Sequence, residues 1–220
     1  MITILQHGPG EAPGNILPHL KARAVPFRVL HLYGNDEVPS PDFRDPVIIL
    51  GGLMSVNDER DYPFLAQEKE LVRRLAAGSV PVLGICLGAQ MIANAFGKPV
   101  TKAETPELGW YAAHRAGPGL PGHPASWPVY EWHNETFALP EGAELLATGS
   151  PVRNQAFRLG SCIGVQYHME ATPGIIRNWA KDLPADRRAA MEEDTRNHIE
   201  GSCARCGALL DYFLSLGGAA

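Results

Sequence analysis

The chain has 220 residues, 45% hydrophobic and 20% charged, with a formal net charge of −5 at pH 7. That length buries a full core as one α/β domain or two small ones, with the composition of an ordinary globular protein. A net negative chain without a basic stripe excludes nucleic acid as the expected partner; Arg73/Arg74 and Arg187/Arg188 read as solvated helix faces.

Ile2 to Gln6 reads as a first buried strand, and His7-Gly8-Pro9-Gly10 as the turn at its end. The chain starts directly on this strand, so no secretory signal is expected. Ile16 to Arg23 is a short helix, Phe27 to Leu32 a second strand, and Tyr33 to Asp45 a loop rich in Pro and Asp. Val47 to Leu50 is an uninterrupted apolar run, as a strand covered on both faces should be, and it ends in Gly51-Gly52-Leu53-Met54-Ser55. Pro63 suits a first helical position, and Leu65, Leu71, Val72 and Leu75 give the helix an apolar side that stops at Gly78.

Ser79 to Gly97 carries no charge, which raises the question of a membrane span. Pro81, Gly84, Gly88, Gln90 and Asn94 interrupt it, and a strand followed by a helix explains it better, so no membrane association is expected. Val80, Val82, Leu83 and Ile85 lead into Cys86, and a helical pattern follows at once. Cys86 therefore sits at a strand-to-helix corner between Gly84 and Gly88, where a sharp turn needs small neighbours. The unpaired N–H groups and dipole at a helix start attract negative charge there. Cys86 is a candidate nucleophile; the corner alone is equally consistent with a small buried core residue.

Strand and helix alternate through residue 97, which predicts a mostly parallel central sheet flanked by helices, of flavodoxin-like architecture. Its chemistry belongs at the carboxyl ends of the strands, where Gly51-Gly52 and Cys86 emerge. From Lys98 the texture changes to short alternating segments at Val100–Lys102, Trp110–His114, Val129–Trp132, Glu144–Ala147, Gln155–Leu159 and Ile163–Tyr167, predicting added antiparallel strands. The segment from Gly117 to Pro128 reads as loop. Thr172 and Pro173 read as the cap and first position of a helix with Ile175, Ile176 and Trp179. Two further helical stretches, about 185–198 and 202–216, finish the chain. With no repeat or linker, residues 1–220 read as one domain.

Four cysteines in a chain of this length point to a reducing compartment, and a cytoplasmic location is expected. Cys203 and Cys206 share a helical face with Ile199, Leu210 and Phe213, so the pair reads as core-facing thiols and no metal site is expected.

A thiol needs a base, and the base needs a group that orients it. Gln166-Tyr167-His168-Met169-Glu170 follows a strand and precedes the capped helix. Residues two apart in extended backbone project to one side, so Glu170 can hold one ring nitrogen of His168 while the other faces Cys86.

Three motifs together, Gly84-Ile85-Cys86-Leu87-Gly88-Ala89-Gln90, Gly51-Gly52-Leu53-Met54-Ser55 and Gln166-Tyr167-His168-Met169-Glu170, resemble the signatures of class I glutamine amidotransferase domains, in that family's order. Trp132-His133-Asn134-Glu135-Thr136-Phe137, followed by Leu139-Pro140, resembles a segment of GMP-synthase-like members. The likeness covers roughly residues 2–176. It implies Cys86 as nucleophile, His168 as general base and acid, Glu170 as its orienter, and backbone N–H groups of Gly52 and Leu87 as oxyanion donors. It also implies substrate contacts from Gly51, Gln90, Asn134 and Glu135, and no cofactor. Two positions depart from the family's habit: Leu53 and Met169 stand where proline is common, which loosens both turns in principle.

The function implied is hydrolysis of the glutamine side-chain amide through a thioester, with ammonia passed to an acceptor on a separate synthetase. Only about fifty residues follow the motifs, too few for a nucleotide-using domain of roughly 100–200 residues. A free-standing γ-glutamyl peptidase would use the same triad on a larger leaving group. A thiol-sensing module would keep the elbow but has little need of an oriented imidazole.

Overall fold

The computed structural model describes residues 1–34 and 36–217; Asn35 within the expected loop and residues 218–220 lie outside the described residues. In chain order the elements are β1 (Ile2–Gln6), α1 (Ile16–Ala22), β2 (Phe27–His31), β3 (Val47–Ile49), α2 (Phe64–Ala77), β4 (Val82–Ile85) and α3 (Leu87–Ala95). There follow β5 (Val100–Arg115), β6 (Ser126–Phe137), β7 (Glu144–Thr148), β8 (Asn154–Leu159), β9 (Cys162–Val165), α4 (Pro173–Trp179), a 3₁₀ turn at Ala180–Asp182 and α5 (Ala185–Leu216). One nine-stranded sheet runs in the order β2-β1-β3-β4-β9-β8-β7-β5-β6. Its first five strands are parallel, and β8, β7, β5 and β6 extend it antiparallel, as the sequence pattern predicts.

Side-chain alternation along the parallel strands divides the core in two. Ile48, Leu83 and Ile85 pack on one face with Leu20 of α1 and Leu209, Leu210 and Phe213 of α5. Val47, Ile49 and Val82 pack on the other with Leu71 and Val72 of α2 and Met91 and Ile92 of α3. The fit of α3 to the sheet leaves no room for side chains. A Cβ on Gly84 would run into the Gly88 carbonyl, and one on Gly88 would run into the Ile49 carbonyl oxygen. Gly88→Ala is therefore expected to force α3 off the sheet and cost about 1–3 kcal/mol, as overpacking does. A urea melt with an unchanged midpoint would contradict that contact.

Four expectations need correction. The segments at 100–102 and 110–114 are one strand; Glu104, Pro106 and Glu107 mask it, and the register breaks between Lys102 and Glu107. Its partner β6 begins at Ser126, shortening the expected loop, and runs through Phe137. The two C-terminal helices are a single helix of 32 residues. Gly201 in its middle costs about 1 kcal/mol relative to alanine, but a continuous buried stripe through Met191, Thr195, Ser202, Cys206 and Leu210 carries the helix across it. That stripe leaves Cys206 buried and turns Cys203 to the surface, so only one of the two thiols faces the core.

Candidate active site

The parallel register sets the ends of β3, β4 and β9 side by side: Ile49 pairs with Gly84, and Ile85 with Val165. Cys86 continues β4 by donating its N–H to the Val165 carbonyl (2.8 Å), and α3 then starts at Leu87. The turn is made on Cys86 itself, at φ 52° and ψ −105°. A side chain held there costs of order 1–3 kcal/mol, a strain retained where the surrounding structure dictates it. The Leu87 N–H, at the first helical position, has no helical acceptor.

The chain leaving the neighbouring strand β9 is fixed by the His168 N–H bond to the Tyr130 carbonyl (2.8 Å) and by Asn15 N–H to the Glu170 carbonyl (2.9 Å). These bonds, with Met169 buried in the core, hold the turn. His168 Nδ1 lies 2.7 Å from Glu170 Oε1, and both side chains are buried. The remaining ring nitrogen is left for Cys86, whose nearness is one of the influences that raise the His168 pKa. A Cβ on Gly51 would sit 3.0 Å from His168 Cε1 and 3.8 Å from Cys86 Cβ, so glycine is what lets thiol and imidazole meet there. Burial alone would lower the His168 pKa, but the charges and hydrogen bonds of Glu170 and Cys86 outweigh it and hold it well above the usual histidine value. Trp179 covers the ring edge-on at 4.6 Å.

A cavity of about 490 Å³ opens in front of Cys86, lined by Gly52, Gln90, Asn134 and Glu135 as well as Leu53, Met54 and Trp132. Of the sequence-derived site residues, Gly51, Leu87, His168 and Glu170 are not among its lining, and all four are buried. Gln90 Nε2 donates to the Glu135 carbonyl (3.1 Å) and lies 3.3 Å from Gln166 Oε1, so it shapes the wall as well as facing the cavity. Gln166, unassigned from sequence, places Nε2 3.7 Å from the Cys86 sulfur.

The sequence reading also missed a buried network that reaches the cavity wall through His133. His133 Nδ1 donates to the Glu135 carbonyl (2.9 Å), while Nε2 is 3.0 Å from Glu107 Oε2 and 3.1 Å from Glu131 Oε2. Both ring nitrogens face acceptors, which only an imidazolium satisfies. Burial opposes that charge, but Glu107 and Glu131 override it and raise the His133 pKa to about 10. Glu107 is further held by Gln155 Nε2 (2.9 Å) and the Val152 N–H (3.2 Å). The signal for this network, an acid in an interrupted strand, is invisible until β5 and β6 are paired.

Glu107, Glu131 and His133 are also the described residues whose ligand atoms fall within 4.8 Å of one another. His133 Nε2 bonds Glu107 and forms an ion pair with Glu131, so a cation there would have to displace the His133 proton; neither Glu131 oxygen has a hydrogen-bond partner among the described residues. The raised pKa has a consequence for stability. Folded His133 keeps its proton to about pH 10, whereas the unfolded residue loses it near 6.5. Its contribution is complete below pH 6.5 and is lost as pH rises toward 10, by up to about 1.4 kcal/mol per pH unit. His133→Gln is expected to melt lower at pH 7 and to show a flatter decline from pH 7 to 10; an equally steep decline would place the titration elsewhere.

Against known proteins, residues 14–178 match the family model described as glutamine amidotransferase class-I. The chain is 28% identical over 197 residues to the glutamine amidotransferase-like protein YfeJ of Salmonella typhimurium, covering 83% of this chain and 82% of that one. It is 37% identical over 131 residues to one subunit of the glutamine-hydrolyzing GMP synthase of Sulfolobus acidocaldarius, covering 57% of this chain and 67% of that one. A glutamine amidotransferase crystal structure from Thermotoga maritima superposes with a TM-score of 0.88 at 26% identity, covering 97% of each chain. No described helix is long and apolar enough to cross a membrane.

Proposed function

The chain belongs to the glutamine amidotransferase class-I family, and we propose that it hydrolyses the glutamine side-chain amide with Cys86, His168 and Glu170, releasing ammonia to an acceptor enzyme on another chain. The Cys86 thiolate adds to the amide carbon, and the carbonyl electrons move onto oxygen, where the Gly52 and Leu87 N–H groups meet the charge. The tetrahedral centre collapses, the C–N bond breaks, and the His168 imidazolium gives its proton to the departing nitrogen, leaving ammonia and a γ-glutamyl thioester. Neutral His168 then takes a proton from water, the hydroxide adds to the thioester carbon, and glutamate leaves as Cys86 regains its charge. Glu170 keeps the ring turned so that one nitrogen serves both transfers.

The observation that carries this reading is the Glu170–His168 contact of 2.7 Å, set beside Gly51 with a cysteine on a strained strand-to-helix turn. The leaving nitrogen must come within reach of His168, which is 4% exposed and roofed by Trp179, and this favours ammonia over a bulky amine. The similarity to one subunit of a GMP synthase supports an acceptor on a separate chain. Ammonia release from glutamine, γ-glutamyl peptides and asparagine, measured on wild type and Cys86→Ala, tests the assignment. Glutamine should be preferred, and its turnover should vanish in the variant. Preference for γ-glutamyl peptides would make the chain a peptidase, and failure of a glutamine-mimicking electrophile to label Cys86 would point to a thiol sensor.

A further inference from the structure

His7, which the sequence presents as a turn residue, is fully enclosed at the end of β1. Its Nδ1 lies 2.9 Å from the Gly51 carbonyl oxygen, and its Nε2 lies 3.1 Å from each carboxylate oxygen of Glu68 on α2, whose side chain is equally enclosed. Both nitrogens face acceptors alone, so the ring donates at both and carries a charge matched by Glu68. Burial works against that charge; Glu68 and the Gly51 carbonyl outweigh it and raise the His7 pKa above the usual value.

The Gly51 carbonyl and the Gly52 N–H belong to one planar trans peptide and point in opposite directions. A donor that fixes the carbonyl behind the site therefore fixes the N–H in front of it. Among the described residues no backbone acceptor meets the Gly52 N–H. Leu53, the next residue, is 88% exposed and gives the turn no packing of its own. A Cβ on Gly52 would lie 2.6 Å from Leu87 Cδ2 and 3.2 Å from His7 Cβ, so His7 packs directly against this peptide. We infer that His7, anchored by Glu68, is a positioning residue that aims the Gly52 N–H at the oxyanion and strengthens it as a donor by hydrogen bonding the carbonyl of the same peptide.

This inference rests on the amidase reading for its catalytic effect, but the clamp itself is measurable without turnover. His7→Ala is expected to lower kcat for glutamine by about 10–100-fold, somewhat less than loss of a whole oxyanion donor, with KM within about threefold. His7→Asn, which keeps a donor near the Nδ1 position, should recover part of the loss, and Glu68→Gln should fall between. Alkylation of Cys86 by iodoacetamide forms no oxyanion and should stay within about twofold in each variant. In NMR spectra the Gly52 amide proton should move upfield in His7→Ala. An unshifted Gly52 amide, unchanged kcat, or alkylation falling in step with kcat would overturn the assignment. Wild type that releases no ammonia, while the Gly52 amide still responds to His7→Ala, would sink the amidase reading and leave the clamp standing.

Discussion

Cys86→Ala is expected to lower ammonia release from glutamine by at least about 10⁴-fold, because the proposed mechanism without its nucleophile keeps only what the oxyanion donors and substrate contacts supply. The fold should survive, since the side chain is small and α3 is held by the contacts at Gly84 and Gly88. Cys86→Gly carries the same chemical loss with a different structural effect. At φ 52° a Cβ is strained and glycine is not, so this variant should unfold at higher denaturant by about 1 kcal/mol while showing no turnover. Opposite signs in stability and activity from one substitution would mark the elbow as a conformation maintained for its chemistry. Ammonia release that persists in both variants would place the nucleophile elsewhere.

The parallel half of the molecule is legible in the sequence because its strands are buried on both faces. Val47–Ile49 and Val82–Ile85 are buried throughout, and each ends where a glycine or a cysteine must do something a core residue cannot. The meeting of Cys86 with His168 follows from the same source, since both leave adjacent parallel strands at the same edge. The antiparallel half is less legible. In β5 the strand pattern is interrupted by Glu104, Pro106 and Glu107, and the charge of Glu107 makes sense only once His133 is brought against it from β6. His7 is hidden for a related reason. Followed by Gly8-Pro9-Gly10, it carries every local mark of a turn, and its partners come from positions 51 and 68, which no local pattern connects. In α5 a mid-helix glycine outweighs the periodicity locally, and only the packed stripe on either side decides for one helix. Buried ion pairs joining distant segments are the element of this site that periodicity cannot reveal.

Glu170→Gln should lower kcat by about 10²–10⁴-fold, as loss of the orienting carboxylate does in a comparable triad, and the step it damages most can be named. In wild type, Glu170 Oε1 accepts from His168 Nδ1–H at 2.7 Å, so neutral His168 presents a bare Nε2 toward the site. A carboxamide in that place can turn its N–H toward Nδ1, which puts the remaining proton of the neutral ring on Nε2. That tautomer cannot accept the proton of the attacking water, so the thioester should accumulate and be visible as a glutamyl adduct by mass spectrometry. The same substitution removes the leading influence that offsets burial and holds the His168 pKa high. Because the proposed mechanism needs His168 protonated to expel ammonia, activity should be lost as pH rises through that raised value. The alkaline limb of kcat/KM should therefore move to lower pH in Glu170→Gln. A limb that stays in place, with no adduct, would mean that Glu170 neither charges nor orients the imidazole, and the proton path would have to run through another of the buried acids beside His168, Glu11 or Glu131.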